Sequence, residues 1–571
     1  MIKPKKKIQN LSAYNIPLYS EEYALKLDSN ENIFGPSPRV LEALKKLGSK
    51  DVSLYPSYGK LREKIAEFNR FDLENIKVTD GADEAISGII QAYLGEGDIL
   101  LTLKPTFVMP VIYAKVAGAE VVEVDYDNNF TFPLDAFSCY LNDVRVKVVY
   151  LASPDNPTGS VLSPENLAKI LSKSKNKVVI IDETYANYYG ESFKGVVRKF
   201  NNIFIVRSFS KDFALAGLRL GYVISAKENI EVLDKVISPY SVNIAAVQAG
   251  LAALGDFKYF TNVKKEITRV KNKLTKLFKS LGCKVYPSGA NFILVNCGAK
   301  YDYLTELFSR QKILVKKFEN NDRLKNHIRL TLPPENAVPL IEDTVKLRHT
   351  IVFDMDGVLI DATESYRKTI SDTFEYFTGV KVSNEKIQEI KNLGGYNNDW
   401  DLTEYLLRSV DSQIEKEQII EQFQKTYWND GKGLINNETL LVNKEILDKL
   451  SKKYNMFIFT GRLREEAEYT LEKIGIKDYF LDIVTTSDIP KDKGKPDPYG
   501  LDLIKKKILF DKIFYFGDTV DDLNCAEKAD VIPIGVLPPL DKSDAFKNKM
   551  YENGAVMVVE SLNDIGKVLE I

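Results

Sequence analysis

Short apolar runs that each end in a polar loop recur in two separate stretches of this 571-residue chain. They alternate with amphipathic segments over about residues 76–240, and the same alternation returns over residues 454–571. Such alternation is typical of α/β domains with a largely parallel sheet. Ligands of these domains gather at the carboxyl ends of the strands. The pattern therefore predicts two α/β units, each with its functional residues at a strand edge.

The predicted boundaries place a first domain at residues 1–347 and a second at residues 348–571. Strands are predicted at 99–103, 147–152, 178–181, 203–206, 350–353, 456–459 and 513–516, with helices over 86–94 and 262–281. Residues of about 361–450 have a mainly helical pattern and would form a cap on the second domain. No linker rich in Gly, Ser or Pro separates the two domains.

Composition and charge exclude several classes of function. The formal net charge of −2 gives no overall attraction to nucleic acid or anionic lipid. No apolar stretch is long enough to span a bilayer, the first residues lack a signal-peptide segment, and the four cysteines are scattered, so we expect a reducing cytoplasm. The chain has two histidines, His327 and His349, which excludes a histidine-rich metal site. The chemistry must rest on lysine and carboxylates.

The first candidate site surrounds Lys211, in the loop that follows the predicted strand 203–206. Pyridoxal phosphate requires a lysine that forms an imine, a carboxylate that keeps the ring nitrogen protonated, and donors for its phosphate. Lys211 suits the first role, and Asp182 at the end of another strand suits the second. Ser208, Ser210 and Arg219 are suitable phosphate ligands.

A second source of phosphate donors is the start of a predicted helix. Gly81-Ala82-Asp83-Glu84 opens that helix, so its backbone N–H groups would form an anion site. We therefore include Ala82 and Asp83 among the candidate cofactor-binding residues.

The second candidate site begins with Asp354, directly after the apolar strand 350–353. Phosphoryl transfer to an aspartate needs a nucleophile, an acid for the leaving alcohol, and cations that offset the oxyanion charge. Asp354 would be the nucleophile and Asp356 the acid, while Thr460 and Lys495 would bind the phosphoryl group. The segment Gly517–Asp522 supplies carboxylates for Mg²⁺, which prefers oxygen ligands.

Across residues 8–347 the chain resembles the fold-type I aminotransferases, and within them the histidinol-phosphate aminotransferases. The resemblance is carried by segments in the family's order: Leu27–Pro38, Tyr55-Pro56, Gly81–Glu84, Asp155–Gly159, Asp182–Tyr185, Ser208–Lys211, Ala216–Arg219, Ala290–Phe292 and Ile328–Thr331. It implies a large and a small domain, pyridoxal phosphate as cofactor, and a homodimer. A phenylalanine stands at position 107 where the family often has tyrosine, so any hydroxyl contact is lost there.

The resemblance also assigns roles to individual residues. It implies that Asn156 and Tyr185 bond the phenolic oxygen of the cofactor and that Phe107 stacks on its ring. Tyr55 would reach the phosphate in the neighbouring subunit. The substrate-binding residues that it implies are Arg329, for the acidic end of the substrate, with Arg323 and Tyr14.

Residues 350–571 resemble the haloacid dehalogenase superfamily in four motifs, which begin at Asp354, Thr460, Gly494 and Gly517. The resemblance implies a Rossmann-like domain with a helical cap and a Mg²⁺ site formed by Asp354, Asp356, Asp518 and either Asp521 or Asp522, of which the family's spacing favours Asp522. An acid at position 356 favours phosphatase activity. The cap segment 394–400 is either a substrate contact or a loop that ends a helix.

Together the two resemblances suggest a bifunctional enzyme of histidine biosynthesis that transaminates histidinol phosphate with 2-oxoglutarate and then dephosphorylates it. The helical cap counts against the second step, because histidinol phosphatases of this superfamily belong to its capless branch. Three alternatives stay open. The phosphatase could act on another small phosphate, the second domain could be a binding or regulatory module, or the aminotransferase could act on aromatic amino acids or threonine phosphate.

Overall fold

A computed structural model describes residues 8, 22–318, 321–346, 348–393, 398–410, 414–508 and 510–569. The chain divides into two compact units. The first contains the described residues up to Tyr301 together with Leu307–Thr344. The second contains Asp302–Glu306 and the described residues from Val345 onward.

The first unit is built on a seven-stranded sheet in the order β2-β8-β7-β6-β5-β3-β4. Strands β3 to β7 form its parallel part, and β8 and β2 complete it in antiparallel pairing. Its strands are β2 (Ile76–Asp80), β3 (Ile99–Lys104), β4 (Glu120–Asp125), β5 (Val146–Ala152), β6 (Val178–Asp182), β7 (Ile203–Ser208) and β8 (Leu220–Ser225). The apolar runs predicted as strands are β3, β5, β6 and β7, which confirms the predicted α/β class.

Both faces of this sheet are buried, as expected where helices cover a parallel sheet. In β5, Val149 and Leu151 point into one hydrophobic cluster, whereas Val148 and Tyr150 point into another on the opposite face. The helices of this part of the unit are α1 (Pro38–Lys45), α2 (Ser49–Ser53), α3 (Gly59–Asn69), α4 (Gly81–Tyr93), α5 (Met109–Ala117), α6 (Leu134–Tyr140), α7 (Pro164–Lys173), α8 (Ala186–Tyr189), α9 (Lys227–Val236) and α10 (Ile244–Leu254).

A second sheet of the first unit has five strands in the order β1-β11-β12-β10-β9. They are β1 (Leu25–Leu27), β9 (Lys284–Val285), β10 (Phe292–Asn296), β11 (Ile313–Lys317) and β12 (His327–Thr331), with helices α11 (Phe257–Ser280) and α13 (Val338–Thr344). Helix α12 (Tyr301–Arg310) contains the residues Asp302–Glu306 that are assigned to the second unit. Helix α11 begins five residues before the predicted start at 262. Its first turn buries Phe260 against Tyr188 and Phe213, contacts that helical periodicity does not reveal.

The second unit has a six-stranded parallel sheet in the order β17-β16-β13-β18-β19-β20. Its strands are β13 (Arg348–Phe353), β16 (Asn455–Phe459), β17 (Asp482–Val484), β18 (Phe510–Gly517), β19 (Ile532–Val536) and β20 (Met557–Val559). The helices beside it are α18 (Lys444–Lys453), α19 (Arg464–Ile474), α20 (Tyr499–Lys507), α21 (Val520–Lys528) and α22 (Asp544–Glu552). Strands β13, β16 and β18 are adjacent, so the residues that follow them meet at one edge.

A helical cap is inserted between β13 and β16. Its helices are α14 (Lys368–Thr378), α15 (Asn384–Leu393), α16 (Asp399–Ser409) and α17 (Lys416–Tyr427), and a pair of two-residue strands, β14 (Ile360–Asp361) and β15 (Thr439–Leu440), joins it to the core. The cap has its own hydrophobic cluster around Phe423 and Tyr427. The predicted end near residue 450 is too late, because Leu447 and Leu450 of α18 belong to the core cluster of the sheet.

Within the described ranges, no helix is long and apolar enough to cross a membrane.

Candidate active sites

The loop after β7 holds Lys211 at the carboxyl edge of the large sheet. Its Nζ donates a hydrogen bond to the backbone oxygen of Ser29 at 2.9 Å. Burial lowers the pKa of Lys211 to about 8, and the positive charge of Arg329 acts in the same direction. The neutral, nucleophilic form of this amine is therefore far more populated near physiological pH than in an ordinary lysine, although the charged form still predominates.

Asp182, the last residue of β6, is buried beside this loop, with 6% of its surface exposed. Its Oδ2 accepts a hydrogen bond from the hydroxyl of Tyr150 at 2.8 Å, and its Oδ1 accepts one from the backbone N–H of Thr184 at 2.9 Å. Burial raises the pKa of Asp182 against the effect of these hydrogen bonds. The two bonds fix the carboxylate while leaving acceptor capacity for a protonated ring nitrogen.

A polar cluster around Arg329 connects residues of the two sheets of the first unit. Asn30 donates to the hydroxyl of Tyr185 at 3.0 Å. Arg329 in β12 donates from Nη1 to Oδ1 of Asn156 and from Nη2 to the backbone oxygen of Asp28 at 2.5 Å. Burial raises the pKa of Tyr185 to about 12, so its hydroxyl is a proton donor at neutral pH.

The start of α4, which is predicted to bind an anion, lies beside Arg219 and Ser210. Arg219 lies 2.8 Å from Oδ2 of Asp83, and its Nη1 is 3.5 Å from the hydroxyl of Ser210. Gly81 has φ +71°, and a Cβ there would lie 2.8 Å from Nη2 of Arg219. A Cβ on Gly221 would lie 2.5 Å from the carbonyl carbon of Gly81. The glycine at position 81 lets the guanidinium of Arg219 approach the helix N-terminus, and the glycine at position 221 lets β8 pack against its first residues. A helix N-terminus beside an arginine suits a phosphate held by backbone N–H groups.

Two other phosphate candidates lie in the same region. Ser208 is the last residue of β7, and its hydroxyl accepts a hydrogen bond from the backbone N–H of Ser210 at 3.1 Å. Ala82 is in the first turn of α4. A lysine with a lowered pKa, a fixed carboxylate and a helix N-terminus beside Arg219 together fit pyridoxal phosphate.

Some sequence-predicted residues lie elsewhere or have other contacts. Tyr55 is 79% exposed and stacks on Tyr240, with ring centroids 4.3 Å apart. Arg323 pairs with Asp125 at 3.2 Å and donates to the backbone oxygen of Tyr126, so within one chain its charge is already compensated. Phe107 is half-buried in the loop between β3 and α5. The remaining predicted residue of this set, Tyr14, lies outside the described residues.

Sequence reasoning assigned no role to two buried supports of this site. Tyr150 holds Asp182, as described above. Asp155 is fully buried and accepts hydrogen bonds from Thr106 at 2.7 Å and from Tyr126 at 2.8 Å, and burial raises its pKa to about 7. Asp155 precedes Asn156 in the segment Asp155–Gly159, which carries the family resemblance. That position in the motif could have indicated that Asp155 belongs to the site.

In the second unit, Asp354 follows β13 and contacts the ammonium group of Lys495. Its Oδ1 lies 2.7 Å from Nζ of Lys495, which also pairs with Asp522 at 2.8 Å. Burial raises the pKa of Asp354 to about 7, although the ammonium group of Lys495 opposes the shift. Thr460, at the end of β16, is 1% exposed and lies at the same edge.

Three carboxylates in the described part of the chain could hold a metal ion. Oxygens of Asp354, Asp518 and Asp522 lie within 4.8 Å of one another. Burial and the nearby carboxylates Asp354 and Asp522 raise the pKa of Asp518 well above its usual range. Clustered buried carboxylates repel one another unless a cation joins them, and oxygen ligands suit Mg²⁺. The chemistry of this donor set therefore fits the predicted metal.

Asp522 has additional partners that define its role more closely. It accepts hydrogen bonds from the hydroxyls of Tyr515 at 2.9 Å and Thr519 at 2.6 Å, besides its contact with Lys495. Burial favours its neutral form, but Lys495 prevails and lowers its pKa. The neighbouring candidate Asp521 is buried in the same helical turn but is outside the carboxylate cluster.

The carboxylate of Asp356 lies outside the metal cluster and pairs with Arg462. Nε of Arg462 is 3.0 Å from Oδ2 of Asp356, and the same guanidinium contacts both oxygens of Glu438 at 2.9 Å. The side chains of Arg462 and Glu438 are each 1% exposed. The sequence did not single out Arg462 or Glu438, because no local motif marks contacts between positions as far apart as 356, 438 and 462.

A cavity of about 770 Å³ opens above these residues and is lined by both core and cap. From the cap come Tyr366, Arg367, Lys391, Asp399, Trp400 and Lys416. Of the segment 394–400, residues 394–397 lie outside the described residues, while Asn398 caps the start of α16 and lines the cavity with Asp399 and Trp400.

Known protein families match both units of the chain. Residues 23–341 match the family model of class I and II aminotransferases. The chain belongs to this family. Residues 351–536 match the model of haloacid dehalogenase-like hydrolases, so a hydrolase domain of that type is fused to the aminotransferase. Both predicted resemblances are thereby confirmed, and both families are enzymatic.

The relatives of the aminotransferase unit include histidinol-phosphate aminotransferases. That of Caldanaerobacter subterraneus subsp. tengcongensis is 34% identical over 342 residues, which cover 58% of this chain and 93% of that protein. Chloroplastic enzyme 1 of Arabidopsis thaliana is 36% identical over 326 residues, 56% of this chain and 78% of that protein. A solved histidinol-phosphate aminotransferase from Sinorhizobium meliloti, in complex with pyridoxal-5'-phosphate, has a TM-score of 0.55 at 24% identity and covers 60% of this chain and 96% of that one. That likeness shows the fold.

Proposed function

We propose that the chain is a bifunctional enzyme. Its aminotransferase unit transfers an amino group between histidinol phosphate and 2-oxoglutarate, and its hydrolase unit cleaves a phosphate monoester with Mg²⁺. The similarity to histidinol-phosphate aminotransferases over nearly their whole length supports the first activity. The contact of Asp354 with Lys495 beside a carboxylate cluster supports the second.

In the aminotransferase unit, the described residues divide the work of binding and proton transfer. Bound pyridoxal phosphate would supply the electron sink for the chemistry at the substrate's α-carbon. Asp182 would hold a proton on the ring nitrogen, and the start of α4 with Ser208, Ser210 and Arg219 would hold the phosphate. Lys211 can accept and return a proton because its pKa is lowered to about 8.

Arg329 would bind the acidic end of the substrate. The residue is 7% exposed, and its guanidinium contacts Asn156, Asp28 and the ring of Phe292. These contacts hold the planar donor group in place, and a bidentate guanidinium matches a carboxylate or phosphate. Glutamate and histidinol phosphate both present an anionic end to such a group.

In the hydrolase unit, Asp354 would attack the phosphorus atom of the substrate. A bond forms between a carboxylate oxygen and phosphorus while the bond to the leaving alcohol breaks, and Asp356 donates the proton that the alcohol needs. Asp356 would then take a proton from the water that releases phosphate from Asp354. Lys495 and Thr460 would balance and bind the phosphoryl oxygens. Mg²⁺ would offset the remaining negative charge.

The aminotransferase unit is proposed to form a homodimer, with Tyr55 reaching the site of the partner subunit. The 79% exposure of Tyr55 agrees with a residue that is buried by a second copy. A mixture of Lys211→Ala and Tyr55→Ala chains tests this, because a hybrid dimer would contain one site with both residues intact. We expect the mixture to recover activity that neither variant has alone. A mixture no more active than its components would contradict the shared site.

Product analysis by mass spectrometry tests the two activities together. The full chain is mixed with L-histidinol phosphate, 2-oxoglutarate and Mg²⁺, with phenylalanine and threonine phosphate as competing substrates in parallel. Formation of the ketone phosphate and glutamate would establish the transamination. If histidinol phosphate does not react while phenylalanine or threonine phosphate does, histidinol phosphate is not the substrate of the aminotransferase unit. Free histidinol plus phosphate would make histidinol phosphate the substrate of both units.

Variants separate the two activities. Lys211→Ala is expected to abolish transamination, and Asp354→Asn is expected to abolish phosphate release. A C-terminal unit that acts only as a regulatory module would release no phosphate from any ester, and Asp354→Asn would then change nothing.

A further inference from the structure

A half-buried arginine of the cap faces the hydrolase cavity, and one of its guanidinium nitrogens is buried without a hydrogen-bond partner among the described residues. Arg367 ends the π-helical turn Thr363–Arg367 that leads into α14, and it lines the cavity. Its Nη1 is buried and has no hydrogen-bond partner among the described residues, and no ion pair joins its side chain to a described carboxylate. Arginine keeps its charge in proteins, so a buried guanidinium without a partner is costly. Such a group indicates a site for an anion.

The other buried cations of the cavity are already paired. Lys495 contacts Asp354 at 2.7 Å, and Arg462 is held by Asp356 and Glu438. On the cap side, Lys391 pairs with Asp399 at 2.7 Å. Lys416, which is more exposed, pairs with Asp401. The described lining also includes Lys491, which is exposed to solvent. Arg367 is therefore the cation of this lining whose buried nitrogen has no pair.

The carboxylates that face Arg367 do not satisfy it. Asp518, Asp399, Asp356 and Asp361 act on it electrostatically, but none makes a hydrogen bond with it. Asp399 and Asp356 are compensated by Lys391 and Arg462, and Asp518 belongs to the metal cluster. Asp361 instead accepts a hydrogen bond from the backbone N–H of Thr363 at 3.0 Å.

The direction of the reaction places Arg367 on the side of the leaving group. Asp354 attacks in line, so the leaving oxygen points away from the core sheet and toward the cap. The core supplies Lys495, Thr460 and the carboxylate cluster for the phosphoryl group. Arg367 comes from the cap and is not needed to bind the phosphoryl group, so it is available to the alcohol part of the ester. The cavity of about 770 Å³ is large enough to enclose that part.

We infer that Arg367 binds a second anionic group, a carboxylate or a further phosphate, on the alcohol part of the hydrolase substrate. The inference rests on the proposed phosphatase activity and narrows its substrate class. A cationic leaving group such as histidinol would meet the guanidinium of Arg367. Of the cap carboxylates, Asp399 forms an ion pair with Lys391 at 2.7 Å but no hydrogen bond through its Oδ1, and Asp401 pairs with Lys416. The hydrolase unit therefore acts on a phosphorylated acid rather than on a phosphorylated amino alcohol.

Three two-carbon phosphate esters test this assignment because they differ in one group. 2-Phosphoglycolate carries a carboxylate, 2-hydroxyethyl phosphate a hydroxyl and phosphoethanolamine an ammonium group. Phosphate release by the full chain with Mg²⁺ gives kcat/KM for each. We expect the carboxylate ester to exceed the hydroxyl ester by about 10- to 100-fold, the range of one charge-assisted hydrogen bond, and the ammonium ester to be the poorest.

Arg367→Gln should reduce the ratio between the carboxylate and hydroxyl esters to about threefold or less, mainly through KM for the carboxylate ester. Arg367→Lys, which keeps the charge, should retain part of the ratio. The matched control is Arg408→Gln, because Arg408 lies in the same cap but is 71% exposed and pairs with Glu404, and it should leave the ratio as in the parent chain. Binding of 2-phosphoglycolate to the inactive Asp354→Asn chain, followed by fluorescence, should show the same loss on addition of Arg367→Gln.

An equal fall in kcat/KM for all three esters would overturn the inference, since Arg367 would then act on the transferring phosphoryl group or on folding. A parent chain that prefers the ammonium ester would also overturn it. If neither these esters nor p-nitrophenyl phosphate releases phosphate, the proposed phosphatase activity itself is refuted, and the inference falls with it.

Discussion

Replacing Arg462 by methionine is expected to destabilise the hydrolase unit strongly. The guanidinium is 1% exposed and donates to Asp356, to both oxygens of Glu438 and to the hydroxyl of Thr470 at 3.1 Å. Its loss leaves the equally buried carboxylate of Glu438 without a cation. Removing one partner of a buried ion pair costs about 3–5 kcal/mol, and we expect a loss of unfolding free energy in this range.

The assay uses the two tryptophans of the chain, Trp400 and Trp428, which both lie in the hydrolase unit. Their fluorescence during urea unfolding therefore reports on that unit. The double variant Arg462→Met/Glu438→Gln should recover part of the loss, because the uncompensated charge is then absent.

The control for this experiment is Arg408→Met. Arg408 is 71% exposed and forms an i,i+4 pair with Glu404, so its replacement should cost less than about 0.5 kcal/mol. If Arg462→Met costs no more than this control, or if Glu438→Gln fails to relieve its effect, the reasoning from a buried uncompensated charge is wrong.

Three further predictions concern the two sites. Uptake of pyridoxal phosphate by the apo-chain, followed by absorbance, should rise with pH through about 8, where Lys211 becomes neutral; a rise centred near 10.5 would contradict its lowered pKa. EDTA should abolish phosphate release but not transamination, and Asp518→Asn should raise the Mg²⁺ concentration for half-maximal hydrolysis at least tenfold; hydrolysis that persists in EDTA would exclude the metal role. Gly357→Ala places a Cβ 2.1 Å from Oδ2 of Asp518 and should reduce the rate of hydrolysis more than tenfold. The control Gly379→Ala has nearly the same backbone angle, φ +73° against +72°, but no atom within 4 Å of the added Cβ. It should cost about 1 kcal/mol of stability and leave hydrolysis intact.

The parts of the fold and sites that could be predicted from the sequence are local. Apolar runs of four to six residues indicate β6, β7 and β13 because a buried parallel strand has few polar positions. Asp182, Lys211 and Asp354 stand at or just beyond the ends of such runs, so their place at the strand edge follows from the same pattern.

The parts that could not be predicted depend on contacts between distant positions. Arg462 meets Asp356 across 106 residues, and Tyr150 meets Asp182 across 32. No periodicity or turn residue marks such pairs before the chain folds. The end of the cap was placed too late for a related reason, since α18 is amphipathic like the cap helices and only packing shows that Leu447 belongs to the core.

The short strand pair between Ile360–Asp361 and Thr439–Leu440 has a consequence for how this hydrolase could change over evolutionary time. Paired antiparallel strands bring the two ends of the inserted segment to within about 5 Å of each other. Replacing residues 362–438 by a longer or shorter insert would then change the closure cost by only about 0.6 kcal/mol per doubling of length. The proposed nucleophile Asp354 and the proposed selectivity residue Arg367 therefore lie in separately exchangeable parts of the domain, and replacement of the insert could change the substrate while the nucleophile stays the same.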